Sequence, residues 1–396
     1  MRIVRLFLLI ILLIGSSGCW DRIELNEVSF VSGIAIEKGD KYNYLLTLEV
    51  INAEEFGGET TQGNTGTILF SAEGDSIAEL SDRMNVGLTR QLNFSHTRVI
   101  VIDEELARQG VSSFLQYFER SAEYRNDFHL VISRGIKAQD IIGTTYPIYR
   151  IPSMKMDSQF RSMEEEWGGY PEVRLTDFTH NIIAEGRYPV AAAVTVQGNH
   201  KKGKSVENNR KADLDGIVVL NGLSLFDIDK LVGYLSVEQT RDYMWIRNNI
   251  NKTTVKATTP EEAFFSARIY NSHTTLKANY KNNRPVITID IVLEGDVLSD
   301  ESKLTIDKLS RFEQLEEELK KEIETKIKNT VTHVQEEYGI DIFGFGEAMR
   351  RQHYQQFKKV KDNWDEEFKK AEINVQAKVF LRRDGIRTRS FLDEME

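Results

Sequence analysis

Runs of apolar residues alternate along the chain with helical and polar stretches, and each run predicts an element. Segments 28–36 (VSFVSGIAI) and 42–50 (YNYLLTLEV) read as two strands around the turn residues Gly39 and Asp40. Segment 56–67 is rich in Gly, Thr and Asn and reads as an exposed loop, followed by a short strand over 67–72. Ile77, Leu80, Met84 and Leu88 recur at helical spacing. A strand at 97–102 (TRVIVI) leads into one helix opened by Asp103, with Leu106, Val111, Phe114, Leu115 and Phe118 facing inward, and 128–133 (FHLVIS) is the next strand. Segment 159–186 reads as helix and then polar chain, and 188–197 (YPVAAAVTVQ) as a strand.

A long polar, Lys-rich stretch over 198–215 marks a loop or domain joint. Beyond it, 216–226 and 230–235 pair as strands around Asp227 and Asp229, 238–246 is a short helix, and further strands include 263–272 and 285–298. Leu309, Phe312, Leu315, Leu319, Ile323, Ile327, Val331 and Val334 then form one apolar stripe on a helix of many turns, its other face filled with Glu and Lys. Gly339 is the expected stop. A second helix over 345–368 is anchored by Met349, Phe357, Val360, Trp364 and Phe368, and 373–381 alternates as a final strand. The pattern predicts an α+β, mixed α/β chain of several domains, two or three by length, with mixed sheets and packed helices. The divisions are 1–18, 19–197, the joint 198–215 and 216–396.

The first residues have a different character. Arg2 and Arg5 precede the unbroken apolar run LFLLIILLI, and small residues lead to Cys19. Charge, apolar run and small-residue exit read as a secretory signal peptide, too short to span a bilayer, which takes roughly 20 residues. Gly18 and Ser17 before the chain's only cysteine resemble the lipobox of bacterial lipoproteins, although Ser16 stands where an aliphatic residue is usual. Cys19 is therefore the expected site of cleavage and of a diacylglyceryl anchor. A single cysteine allows no internal disulfide and no redox pair. Loss of Arg2 and Arg5 takes the formal charge from -10 to -12, the wrong sign for nucleic acid or for electrostatic adhesion to anionic lipid.

Candidate chemistry is sparse. Residues 198–205 satisfy G-x-x-x-x-G-K-S, but no apolar spacing after Ser205 supplies the helix that a phosphate loop needs, so no nucleotide is expected. No two histidines stand at metal-ligand spacing, and His129 in its apolar strand reads as a satisfied core residue. A G-x-S-x-G elbow is absent, and Glu164-Glu165-Glu166 are consecutive, so they do not converge. These features predict neither an enzyme nor a cofactor beyond the covalent lipid.

Gly18-Cys19-Trp20-Asp21, running on through Glu24-Leu25-Asn26-Glu27 to Gly33-Ile34-Ala35-Ile36-Glu37, resembles the start of the Ger(x)C family of spore germination lipoproteins. Asp341-Ile342-Phe343-Gly344-Phe345-Gly346 and Lys361-Asp362-Asn363-Trp364 resemble that family's C-terminal signature. Residues 96–102 with 105–107, and 222–226 with 230–233, also match, so the resemblance runs in order along essentially the whole chain. It implies a lipid-anchored C subunit of a nutrient germinant receptor on the outer face of the spore inner membrane. Its expected partners are two integral-membrane subunits, one of them transporter-like. It also implies three mixed α/β domains and no catalytic residues. The reading from another class is a lipoprotein that captures a small nutrient directly, in a cleft between two domains.

Overall fold

A computed structural model describes residues 24–56, 63–301 and 309–382. Two mixed sheets organise them. The larger has the order β3 (Thr67–Gly74), β2 (Tyr44–Ile51), β1 (Val28–Lys38), β5 (Val99–Asp103), β6 (His129–Ser133), β7 (Val190–Gly198), β8 (Gly216–Asp227), β9 (Lys230–Leu235), with β4 (Gln91–Asn93) beside the start of β1. Its middle, β1-β5-β6-β7, is parallel, and antiparallel pairs flank it on both sides. The central strands are apolar runs because both their faces are covered. Phe114, Leu115, Phe118 and Phe178 pack with Ile34, Ile100 and Leu130 on one face, while Ile141, Met156 and Phe160 pack with Ala35, Val101 and Val131 on the other.

The smaller sheet has the order β10 (Thr253–Thr258), β11 (Phe264–Lys281), β12 (Arg284–Asp300), β13 (Glu372–Leu381). β11 and β12 form a long hairpin closed by Asn282 and Asn283, both at positive φ, as a tight two-residue turn requires. The long helix Leu309–His333 lies on this sheet and buries Leu315, Leu319, Ile323, Ile327 and Val331. One turn of π-helix and Gly339 at φ 67° end it. The stripe does not extend to its first residue: Leu309 is 76% exposed, and the buried side chain in that turn is Arg311, held by Asp300 and Glu261.

The structure corrects several local expectations. The single helix after Asp103 is two, Glu104–Gln109 and Ser112–Arg120, broken at Gly110 (φ 123°), where Val111 N–H donates to the Asp229 carbonyl. The helical part of 159–186 begins earlier, as Pro152–Glu166 with proline in its first turn, and resumes as Leu175–Ile183. The expected helix over 345–368 is three short ones, Phe345–Gln352, Tyr354–Val360 and Trp364–Lys369, with His353 out of helical conformation at the first break. The polar stretch 198–215 is an ordered excursion between β7 and β8, neighbours in one sheet. It holds a short helix, His200–Gly203, and a 3-10 turn, Val206–Arg210. The fully buried Asn208 pins it, donating to the carbonyls of Thr145 and Gly216. Of the expected loop at 56–67, residues 57–62 lie outside the described residues, as do 1–23 with the signal segment and Cys19.

One carboxyl inside the larger sheet is out of place for a strand. Glu49 of β2 is fully buried, with the Ser153 backbone N–H at the limit of hydrogen-bonding reach of its oxygens (3.3 and 3.4 Å), and burial pushes it up to about 8 against the pull of Ser153 and Ser32. A carboxyl raised in the folded state favours folding fully below its unfolded value. That contribution is lost as pH rises through the folded value. We expect stability to fall between about pH 5 and pH 8 by several kcal/mol, the order set by the free energy carried by such a displacement. Glu49→Gln should flatten that fall when unfolding is followed at a series of pH values. An unchanged slope would show that Glu49 is already ionised in the fold.

Candidate functional site

The strongest concentration of polar groups in the interior is built by the loop between the long helix and Phe345–Gln352. Asp341 is wholly buried. Its Oδ1 accepts the N–H groups of Phe343 (3.0 Å) and Gly344 (2.9 Å); its Oδ2 accepts the N–H of Gly346 (2.7 Å) and the Trp364 indole Nε1–H (3.0 Å). Burial raises this carboxyl to about 6 against the pull of those donors. Gly344 sits at φ 79°, where a side chain is strained, and the turn it allows folds the loop back around the carboxylate. Phe343 and Phe345, both fully buried, stack at 5.2 Å between ring centres and pack on Phe368.

The loop is also where the two sheets are joined. Tyr188 N–H donates to the Asp341 carbonyl (2.9 Å), and Glu347 N–H to the Gly186 carbonyl (3.2 Å). Gly186 and Gly346 touch backbone to backbone: a Cβ on Gly346 would lie 2.6 Å from both Gly186 Cα and the Trp364 ring. Tyr188 Oη donates to Asp365 (2.8 Å), Lys361 pairs with Glu185 (2.7 Å), and Arg247 donates to the Phe343 carbonyl (2.8 Å). Residues 185–188 therefore clasp the DIFGFG loop through main chain and side chain together. Above the clasp opens a polar cleft of about 410 Å³, lined by Glu185, Arg187, Tyr188, Lys361 and Asp365 among others.

Most of this arrangement holds structure; among the residues around the cleft, Arg187 keeps a buried Nε without a hydrogen-bond partner. The Asp341 oxygens are occupied by four donors, and the Glu185, Lys361, Tyr188 and Asp365 groups around the cleft are engaged with one another. Among the described residues no group of three or more His, Cys, Asp or Glu side chains is placed to hold a metal ion, and no helix is long and apolar enough to cross a membrane.

The residues singled out by sequence separate accordingly. His129 is buried in β6, where Tyr170 donates to Nδ1 (2.8 Å) and Nε2 meets Asp157 (3.0 Å); burial lowers its pKa, which favours the neutral ring. In the 198–205 motif, Lys204 is ion-paired with Asp140, which also binds His200 Nδ1 (2.6 Å). Gly203 abuts Gly216, and the helix that begins inside the motif is only His200–Gly203. The loop is thus folded onto Asp140 where a phosphate loop would open its amides to ligand. We expect no ATP binding by the purified chain, and Lys204→Ala to leave germination intact. Tight ATP binding abolished by that substitution would contradict this. Cys19 lies outside the described residues. The DIFGFG stretch carries the family resemblance, but the buried role of Asp341 is not among the sequence expectations. The available signal was an aspartate among apolar neighbours, which in a buried loop must find donors.

Comparison with known proteins bears on the same segments. A family model described as "Spore germination protein N-terminal domain" matches residues 21–196, and one described as "Spore germination B3/ GerAC like, C-terminal" matches residues 221–385. Spore germination protein KC of Bacillus subtilis (strain 168) is 30% identical over 396 residues, 97% of each chain. The chain belongs to the Ger(x)C family of spore germination proteins. Within it, spore germination protein B3 of the same organism is 25% identical, covering 91% of this chain and 92% of its own. The crystal structure of the GerBC protein matches with a TM-score of 0.57 at 23% identity, covering 91% of this chain and 99% of that one, a likeness of fold. The Asp341 loop and Trp364 lie within the C-terminal family match, and the 185–188 clasp within the N-terminal one. The junction thus joins the two family domains.

Proposed function

We propose that this protein is the lipid-anchored, non-enzymatic C subunit of a nutrient germinant receptor. Diacylglycerol on Cys19 holds it to the extracytoplasmic face of the spore inner membrane, beside two integral-membrane subunits, one transporter-like. The observation that carries the reading is the end-to-end likeness to spore germination protein KC, 97% of each chain. The interior supports it: the signature residues Asp341, Gly346 and Trp364 are spent on joining two sheets, as suits a scaffold between partners. The test is recovery of the tagged protein from detergent-solubilised spore membranes. We expect two integral-membrane proteins to copurify. Recovery of the chain alone under conditions that keep other receptor complexes intact would contradict the assignment.

Direct capture of a nutrient is favoured by one observation, the polar cleft over Tyr188. Its charged walls are largely paired with one another, which leaves little to recognise a ligand. We expect no nutrient-dependent thermal shift of the isolated chain. A ligand at 100 times its Kd would stabilise it by about 2.7 kcal/mol. A saturable shift with one germinant would favour capture.

A further inference from the structure

Large apolar side chains reach solvent close to the point where the chain leaves the fold toward Cys19. Ile148 is 88% exposed, Phe56 48% and Ile68 47%. Arg150, two residues from Ile148, links their chain segments through both its guanidinium and its backbone. Arg150 donates to the Glu55 carbonyl (2.8 Å), and the Arg150 backbone packs against Gly66, two residues before Ile68. Single exposed apolar residues are ordinary, but a cluster of them marks an interaction surface.

The strand register places this cluster beside the N-terminal exit. Val31 of β1 pairs with Val50 of β2, which pairs with Ile68 of β3. Ile68 therefore lies two strand spacings, about 10 Å, from Val31, at the end of the sheet where β1 begins. The first described residue, Glu24, is five residues beyond Cys19, a reach of at most about 18 Å. A bilayer holding acyl chains on Cys19 thus lies within reach of this end of the sheet, far closer than a free partner would be on average.

We propose that Phe56, Ile68 and Ile148 form a membrane-seating surface, resting on the acyl–headgroup boundary of the bilayer in which Cys19 is anchored. This rests on the reading of Cys19 as lipidated. The contact is apolar, because a chain whose formal charge of -10 becomes -12 with the loss of Arg2 and Arg5 gains nothing from anionic headgroups. It supplements the acyl chains and fixes an orientation, with the β3 edge toward the bilayer.

The experiment uses the full lipidated chain reconstituted in phosphatidylcholine–phosphatidylglycerol vesicles that carry nitroxide-labelled lipid. An environment-sensitive fluorophore is attached through Ile148→Cys or, as a control on the C-terminal body, Tyr354→Cys, itself 55% exposed. We expect quenching at 148 at least roughly twofold stronger than at 354, as for a side chain seated about 5–10 Å into the interface. Intact mass of the same samples reports the acyl chains. A chain without them overturns the anchoring reading and this inference with it. An acylated chain with equal quenching at the two sites overturns the seating alone. Shielding at 148 without lipid quenching would put a protein partner there and overturn it equally.

Discussion

Asp341→Ala should unfold the junction between the two sheets, and with it most of the C-terminal half. Removing the carboxylate leaves the N–H groups of Phe343, Gly344 and Gly346 and the Trp364 indole facing a dry void. An unmet buried donor costs about 1–3 kcal/mol, so four of them amount to roughly 4 kcal/mol or more. That is a large share of a stability of about 5–15 kcal/mol. The loss spreads because Tyr188 and Gly186 of the larger sheet bond to the same loop. Asp341→Asn keeps one acceptor but turns an amide N–H₂ toward donors, and should fall between wild type and alanine. Trp364→Phe, which removes only the Nε1–H donor and part of the ring, should cost less than Asp341→Ala. Thermal unfolding with limited proteolysis measures all three. A near-normal melt for Asp341→Ala with germination lost would make the loop a partner contact, not a structural knot.

Much of the fold is legible in the sequence where local pattern decides it. The strands at 28–36, 97–102 and 128–133 are read from apolar runs long enough to be buried on both faces. The long helix is read from its stripe and from Gly339 as its stop. Illegible are features set by contacts distant in sequence. Gly110 breaks a helix because Asp229, more than a hundred residues on, accepts the next N–H. The 198–215 excursion is polar in composition yet ordered, since Asn208 meets carbonyls on both sides of it. The candidate site shows the same division. His129 is recognisable as a core histidine from its flanks, but its partners Asp157 and Tyr170 are not. The Lys204 motif fails as a phosphate loop by local context, and its actual partner Asp140 lies 64 residues back. Asp341 depends on Trp364 and is joined to the 185–188 clasp, links that no window of sequence contains.

Cys19→Ala should release much of the protein from the spore membrane, a larger functional effect than any core substitution that leaves the fold intact. No helix among the described residues can cross a bilayer, and the net charge has the wrong sign for anionic lipid. On the proposed acylation of Cys19, retention falls on the acyl chains, each buried methylene contributing about 0.8 kcal/mol, with two chains enough for stable attachment. Tethering also raises the effective concentration of the chain near its membrane partners, so the germination response should fall with it. The fold should survive, because β1 begins at Val28 and the described core starts beyond Cys19. An unlipidated chain could be retained only through a protein interface, which salt and detergent series would reveal. The deciding measurement is metabolic labelling of lipoproteins in sporulating cells, with fractionation of the spores, for wild type and Cys19→Ala. The account predicts a labelled, membrane-bound wild type and an unlabelled, largely soluble variant; a variant that still labels, or a wild type that never does, would contradict it.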